Sequence, residues 1–221
     1  MRRLLVVLCM FFGYMTSALA EVSIGIGVAV PGLSIGINVP AYPQLAQVPG
    51  YPVYYAPQLG LNLFFYDGMY WVFQNDNWYA STWYNGPWGL VDPGAVPAYL
   101  LQVPVRFYRA PPPYFRGWRA NAAPRWGEHW DPQWAQSRPD WNRPNRTAPP
   151  ARAPLPIYQR QYSGNRYPQA EQQAPLHSQN YRYQPREPVV QQHYQQRSMQ
   201  RAQPQTPSRQ QGRSRERDSR Q

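Results

Sequence analysis

The side chains able to carry polar chemistry are few and scattered. The chain has three histidines, His129, His177 and His193. Glu128-His129 with Asp131 nearby is the densest group of metal-ligand types. No second histidine accompanies it at helical spacing, and sequence neighbours do not by themselves converge on an ion, so no metal site is expected. A serine nucleophile would have to be Ser23, Ser34 or Ser81, and none sits in a nucleophile-elbow context. Asp67 and Asp92 fall in turns, where Asp is favoured for its hydrogen bonds to nearby backbone. Ile24-Gly25-Ile26-Gly27 has half the glycines of a phosphate loop, but no helix bearing a lysine follows it. Cys9 is the only cysteine and lies in the apolar N-terminal run. These residues form no catalytic constellation and call for no cofactor, so a hydrolase is the least supported class.

Two residue classes remain that could recognise a ligand. Aromatic rings exposed on a flat sheet stack against sugars or bases, and Tyr70, Trp71, Trp78, Trp83 and Trp88 are the candidates for that role. The competing reading puts the same rings in the core of a small domain. The second class is arginine. All 22 basic residues are Arg and none is Lys. Residues 21–105 contain no Arg and four acids, whereas residues 106–221 carry twenty Arg against seven acids, a formal +13. Genomic base composition is one source of all-Arg usage. The physical consequence is the same: a planar fork of donors that matches phosphate and carboxylate and stacks on rings. Arg106, Arg109, Arg116 and Arg119, with Arg209, Arg213, Arg215 and Arg217 near the C-terminus, are the candidate anion-binding residues.

The elements that must position these groups follow from pattern. Met1-Arg2-Arg3, the apolar run Leu4–Phe12 and Ala18-Leu19-Ala20 have the form of a cleavable secretory signal, residues 1–20, cut between Ala20 and Glu21. The apolar run is shorter than the roughly 20 residues a membrane span requires, so no transmembrane segment is expected in the mature form. Residues 21–40 hold a near-repeat, Ser23-Ile24-Gly25-Ile26 and Ser34-Ile35-Gly36-Ile37, separated by Pro31-Gly32, and are read as a β-hairpin. Residues 41–60 form a Pro/Tyr-rich connector with an extended path. Residues 61–120 form an aromatic antiparallel module. Leu63–Tyr66, Met69–Phe73, Trp78–Tyr84 and Trp88–Val91 are its strands. Asp67-Gly68, Asn75-Asp76-Asn77 and Asn85-Gly86-Pro87 are its turns. Pro93–Leu101 suggests a turn of helix, and Val103–Arg109 an edge strand. Residues 121–141 are a Trp/Arg-rich extension with a short helix near 132–138, capped by Asp131-Pro132.

From position 142 to 221 the sequence is Arg/Gln/Pro-rich. After Ala151 it contains no Trp and seventeen Gln. Low hydrophobicity of that kind predicts a long disordered tail, because too little apolar surface is available to offset ordering entropy. The fold class expected is therefore mostly β: a small aromatic-rich antiparallel meander with an N-terminal hairpin, a short helix and a disordered C-terminal tail.

Several of these segments resemble a set of small exported proteins of proteobacteria. They are Phe64-Phe65-Tyr66-Asp67-Gly68-Met69-Tyr70-Trp71, Trp83-Tyr84-Asn85-Gly86-Pro87-Trp88 and Pro124-Arg125-Trp126-Gly127-Glu128-His129-Trp130. The similarity extends over most of the chain after the signal. It implies a Gram-negative envelope as the site of action, and it supplies no activity and no site residues. The function expected is a non-catalytic binding or structural role in the periplasm or envelope. The alternative is a binder of an anionic envelope polymer, such as the phosphate of lipopolysaccharide or another outer-membrane component, through the Arg-rich tail. Nucleic acid would bind the same charge in a test tube but is not expected as a partner after export, and the oligomeric state is not encoded. N-terminal sequencing of protein from an envelope fraction should read Glu21-Val22-Ser23; an intact Met1 there would remove the cleaved signal.

Overall fold

The computed structural model describes residues 36–143 and 149–202. The signal cleavage at Ala20-Glu21, the Pro31-Gly32 turn and all but the end of the 21–40 hairpin lie outside them. Residues 36–40 lie inside and form no strand.

A six-stranded antiparallel sheet is the centre of the molecule. In chain order its strands are β1 (Ala46–Gln47), β2 (Tyr54–Tyr55), β3 (Asn62–Tyr66), β4 (Met69–Gln74), β5 (Asn77–Ser81) and β6 (Gly89–Val91). Each strand pairs with the next, so the sheet is a simple meander. The first two turns form where the sequence placed them, whereas β5 ends at Ser81, so residues 82–84, expected as strand, belong to the loop before β6, whose turn closes from Gly86 N–H to Trp83 O. Asp67-Gly68 joins β3 to β4 with both residues at positive φ, and Asn75-Asp76 joins β4 to β5 in the same way, the conformation that a two-residue hairpin matched to strand twist requires. In register, Phe64 faces Trp71 and Trp71 faces Ala80; Leu63 faces Val72 and Val72 faces Tyr79.

Side chains alternate between two apolar layers. Phe64, Tyr66, Met69, Trp71, Phe73, Trp78 and Ala80 enter one core. Leu63, Phe65, Tyr70 and Val72 enter the other. Period-two alternation normally buries one face and wets the other. Here both alternating sets are apolar, so the sheet must be covered twice.

The first face is covered by the chain that follows β6. This segment contains α1 (Ala98–Leu101), 3-10 turns at Val105–Phe107 and Pro113–Phe115, α2 (Trp126–His129) and α3 (Pro132–Ser137). Leu100, Leu101, Val103, Phe107, Tyr108, Phe115 and Trp126 join the first core. The expected helix near 132–138 is α3, and the Asp131 carboxylate accepts the Trp134 N–H as its cap. The edge strand expected at Val103–Arg109 is a 3-10 turn instead. Phe107 and Tyr108, consecutive residues, both enter the first core. A strand would send them to opposite faces, whereas a tight turn delivers both.

The second face is covered by residues 37–61 and by the segment read as a disordered tail. The 41–60 connector contributes β1 and β2 as well as Ala56. Residues 149–202 hold 3-10 turns at Ile157–Gln161 and Gly164–Arg166, α4 (Ala170–Asn180) and α5 (Pro188–Ala202). Ala153 and Tyr181 are buried against the second face, with Tyr158, Tyr167 and Tyr183 packed around them. The chain then returns to the first face, where Val190 is fully buried and His193 meets the edge of the Trp71 ring at 5.5 Å.

The expected tail is thus a structural layer over its described part, and "mostly β" applies to the sheet alone, since more described residues lie in helical turns than in strands. The reason is that this segment builds no core of its own. It adds single Tyr, Gln, His and Val side chains to one the meander has already formed. A chain ending at Pro150 should lose its cooperative thermal transition and bind a hydrophobic dye, because Phe65 and Tyr70 would face water. An undiminished transition in that chain, followed by near-ultraviolet circular dichroism, would restore the tail as an appendage.

Candidate functional site

Four of the five rings expected to stack on a ligand are core residues. Tyr70 and Trp83 are fully buried, Trp71 likewise, and Trp78 is 1% exposed. Trp71 Nε1 donates to Tyr66 O at 3.2 Å and Trp83 Nε1 to Gln173 O at 3.2 Å, so their polar edges are also spent inside. Trp88 is half-buried and packs against the second core. The cause is the double coverage of the sheet, which leaves Tyr79 as the one half-exposed ring on β4 and β5. The first cover carries four further half-exposed Trp rings: Trp118, Trp130, Trp134 and Trp141. Trp126 and Trp130 stack at 4.5 Å, and Trp130 meets Trp134 edge-on at 4.7 Å.

The arginines divide between the described and undescribed parts of the chain. Arg209, Arg213, Arg215 and Arg217 lie outside the described residues. Arg106, Arg109, Arg116 and Arg119 are all exposed. The loop carrying them is closed at its base by two backbone hydrogen bonds, Val105 N–H to Ala122 O at 3.0 Å and Arg106 N–H to Ala120 O at 2.9 Å. That closure brings the Arg106 backbone against that of Ala120. Arg106 Nη1 donates to Asn121 Oδ1 at 2.8 Å, and its guanidinium lies 4.8 Å from the Phe107 ring centre. None of the four has a carboxylate partner among the described residues; the one arginine in an ion pair there is Arg125, 3.4 Å from exposed Glu128. Solvent screens that pair and makes it a minor contribution to stability.

Two carboxylate clusters that sequence reasoning did not single out flank the sheet. At the β4–β5 turn, Asp76 Oδ1 accepts the Tyr114 hydroxyl at 2.7 Å and lies 2.7 Å from His129 Nε2. Tyr114 and His129 stack face to face at 4.0 Å. Burial first, then the bond to Asp76, pushes the Tyr114 hydroxyl up from its ordinary titration range. Glu128 and Asp131 do not join His129 in a ligand set, and no group of three metal-ligating side chains occurs among the described residues.

At the β3–β4 turn, Asp67 accepts the Tyr183 hydroxyl at 2.6 Å, the Arg186 N–H at 2.8 Å and the Glu187 N–H at 2.8 Å. Glu187 Oε2 accepts the Tyr66 hydroxyl at 2.6 Å. Burial pushes the Glu187 carboxyl above the usual carboxylate range, and the Asp67 charge adds to the push; the Tyr66 hydroxyl, Arg138 and the Ala98 N–H oppose it. The only sequence signal for either cluster is an acid in a hairpin turn. The partners lie far away along the chain, so nothing local announces them. Compared with family models, with curated proteins and with solved structures, the chain matches none of them. No helix among the described residues is long and apolar enough to cross a membrane.

The raised Glu187 carboxyl fixes a pH effect. The folded state holds that proton to higher pH than the unfolded chain does. Stability contributed by the protonated form is therefore present below the usual carboxylate range and is lost as pH rises through the folded pKa. Glu187→Gln keeps an oxygen for the Tyr66 hydroxyl and removes the buried charge. It should raise the melting temperature at neutral pH and flatten the pH dependence on the acid side; an unchanged slope between acid and neutral pH would contradict the assignment.

Proposed function

We propose that this chain is an exported envelope protein of a Gram-negative bacterium, that its role is binding rather than catalysis, and that its ligand is an anionic polymer or surface bearing phosphate. The observation that carries the reading is the arginine loop. Four exposed guanidiniums, Arg106, Arg109, Arg116 and Arg119, stand on a loop closed at its base and packed on the core through Phe107 and Phe115. They lack carboxylate partners among the described residues; Arg106 gives one Nη to Asn121, and the other three forks are open to a ligand. A rigid base lowers the entropy that four separate arginines on a free chain would lose on binding. Of the candidate arginines along the basic half of the chain, this reading gives the main role to the four on the folded domain. The undescribed Arg209, Arg213, Arg215 and Arg217 would add charge to it.

The pair with the geometry of a hydrolytic dyad is Asp76 with His129. The histidine nitrogen on Asp76 is Nε2, and no hydroxyl or thiol bonds to its Nδ1 among the described residues. The binding reading is the better supported one.

Vesicles containing lipid A or phosphatidylglycerol should bind the protein, and phosphatidylcholine vesicles should not. Affinity should fall steeply with added salt, because exposed charges are screened over about 8–10 Å. At about 1 kcal/mol per basic residue near an anionic surface, replacing all four arginines by Gln should weaken binding by roughly a thousandfold at low salt. Affinity that ignores both salt and the fourfold replacement would sink this reading.

A further inference from the structure

An open cleft of about 590 Å³ lies at the end of the sheet where β4 turns into β5. Its apolar walls are Ile37, Leu61, Pro112 and Pro113, and its polar groups are Asn38, Gln74, Asn75, Asp76 and Tyr114. The volume falls in the range of small-ligand sites, roughly 300–1,000 Å³.

The polar groups divide into two kinds. Asn62, at the base, is spent: its amide donates to Phe73 O and Ala110 O, and its oxygen accepts the Ala110 N–H. This ties the 110–113 wall to the sheet and makes the cleft a fixed shape. The side chains of Asn38, Gln74 and Asn75 make no hydrogen bond among the described residues and border the open space. Asp76 is the anchored member. Its Oδ1 takes the Tyr114 hydroxyl and faces His129 Nε2, each at 2.7 Å, which leaves Oδ2 without a partner among the described residues. Asp76 also sits at φ 63°, a backbone conformation uncommon for a residue other than glycine. Tyr114 and His129, themselves stacked, therefore hold the carboxylate in one orientation at the mouth of the cleft.

We infer that this cleft binds a neutral saccharide. A fixed carboxylate oxygen accepts two donors, and three free amides both donate and accept; together they match a row of vicinal hydroxyls. The isoleucine, leucine and proline walls match the C–H face of a pyranose ring. An anionic ligand is disfavoured beside Asp76, so this site is distinct in chemistry from the arginine loop and does not rest on it. Asp76 contacts the sugar; His129 and Tyr114 position Asp76.

The test uses the full mature chain and soluble tetrasaccharides of N-acetylglucosamine and of glucose, followed by calorimetry and by backbone amide shifts. One of the two sugars should move the amides of Gln74, Asn75 and Asp76. Asp76→Asn keeps an oxygen for Tyr114 and His129 while removing the charge; it should weaken binding by roughly tenfold or more, the usual scale for a hydrogen bond to a charged group. His129→Ala should weaken it less, with Tyr114 still in place. The shifts should persist in the chain lacking Arg106, Arg109, Arg116 and Arg119. The proposal is overturned if neither sugar moves those amides, if Asp76→Asn leaves affinity unchanged, if the arginine replacements abolish binding, or if an arginine-rich peptide occupies the cleft in place of sugar.

Discussion

Asp67 holds the chain at the point where it crosses from one face of the sheet to the other. The residue is 6% exposed, and its carboxylate takes two backbone N–H groups and a phenol from residues 183–187. Buried N–H groups need partners, and charge-assisted bonds supply them most strongly. On one side of this crossing lies the layer containing Tyr181; on the other begins α5, which puts Val190 and His193 into the first core. The turn that joins β3 to β4 therefore also fastens the last described layer. Gly68 serves the same crossing: a Cβ there would meet the Tyr183 ring at 3.0 Å, so the turn needs glycine both for its φ and for the passage of the chain.

The sheet with two buried faces explains the uses to which the polar residues of 149–202 are put. The chain leaves β5 at Ser81 and runs without regular structure to β6, so residues 82–87 have backbone groups that no strand satisfies. The supposedly featureless segment satisfies them. Gln159 Nε2 donates to Thr82 O and its oxygen accepts the Tyr84 N–H. Gln173 Nε2 donates to Gly86 O, as does the Tyr167 hydroxyl. The Tyr84 hydroxyl donates in turn to Tyr162 O. Gln159 is fully buried and Gln173 is 1% exposed. A glutamine-rich composition normally signals solvation, but an amide that both donates and accepts is also the side chain best able to complete an irregular backbone.

The distribution of charge follows from the same architecture. Residues 36–105 carry the sheet and its nearest cover, most of the core comes from them, and they contain no Arg. The arginines appear once the chain reaches the outside of the first layer. Burial lowers the Arg138 guanidinium from its ordinary range, against the pull of Glu187 and Asp92, and its Nη1 donates to Pro93 O. The exposed loop at 106–119 is the opposite case, with rings turned inward and guanidiniums outward.

The sequence alone determined the meander. Alternating aromatics with Asp-Gly and Asn-Asp turns specify β3, β4 and β5 and their register, because strand period and turn conformation are local properties. The cap at Asp131 and the helix it starts were equally local. Only the tertiary structure decided that the rings of Tyr70, Trp71, Trp78 and Trp83 are core rather than surface, since a ring's exposure depends on what covers it and the cover is made by residues as distant as Gln173. It also decided that the segment after Pro149 is part of the fold. Composition measures whether a segment can build a core of its own. It cannot register side chains contributed singly to a core built elsewhere, nor the meeting of Asp76 with Tyr114 and His129, because that information resides in pairs far apart along the chain.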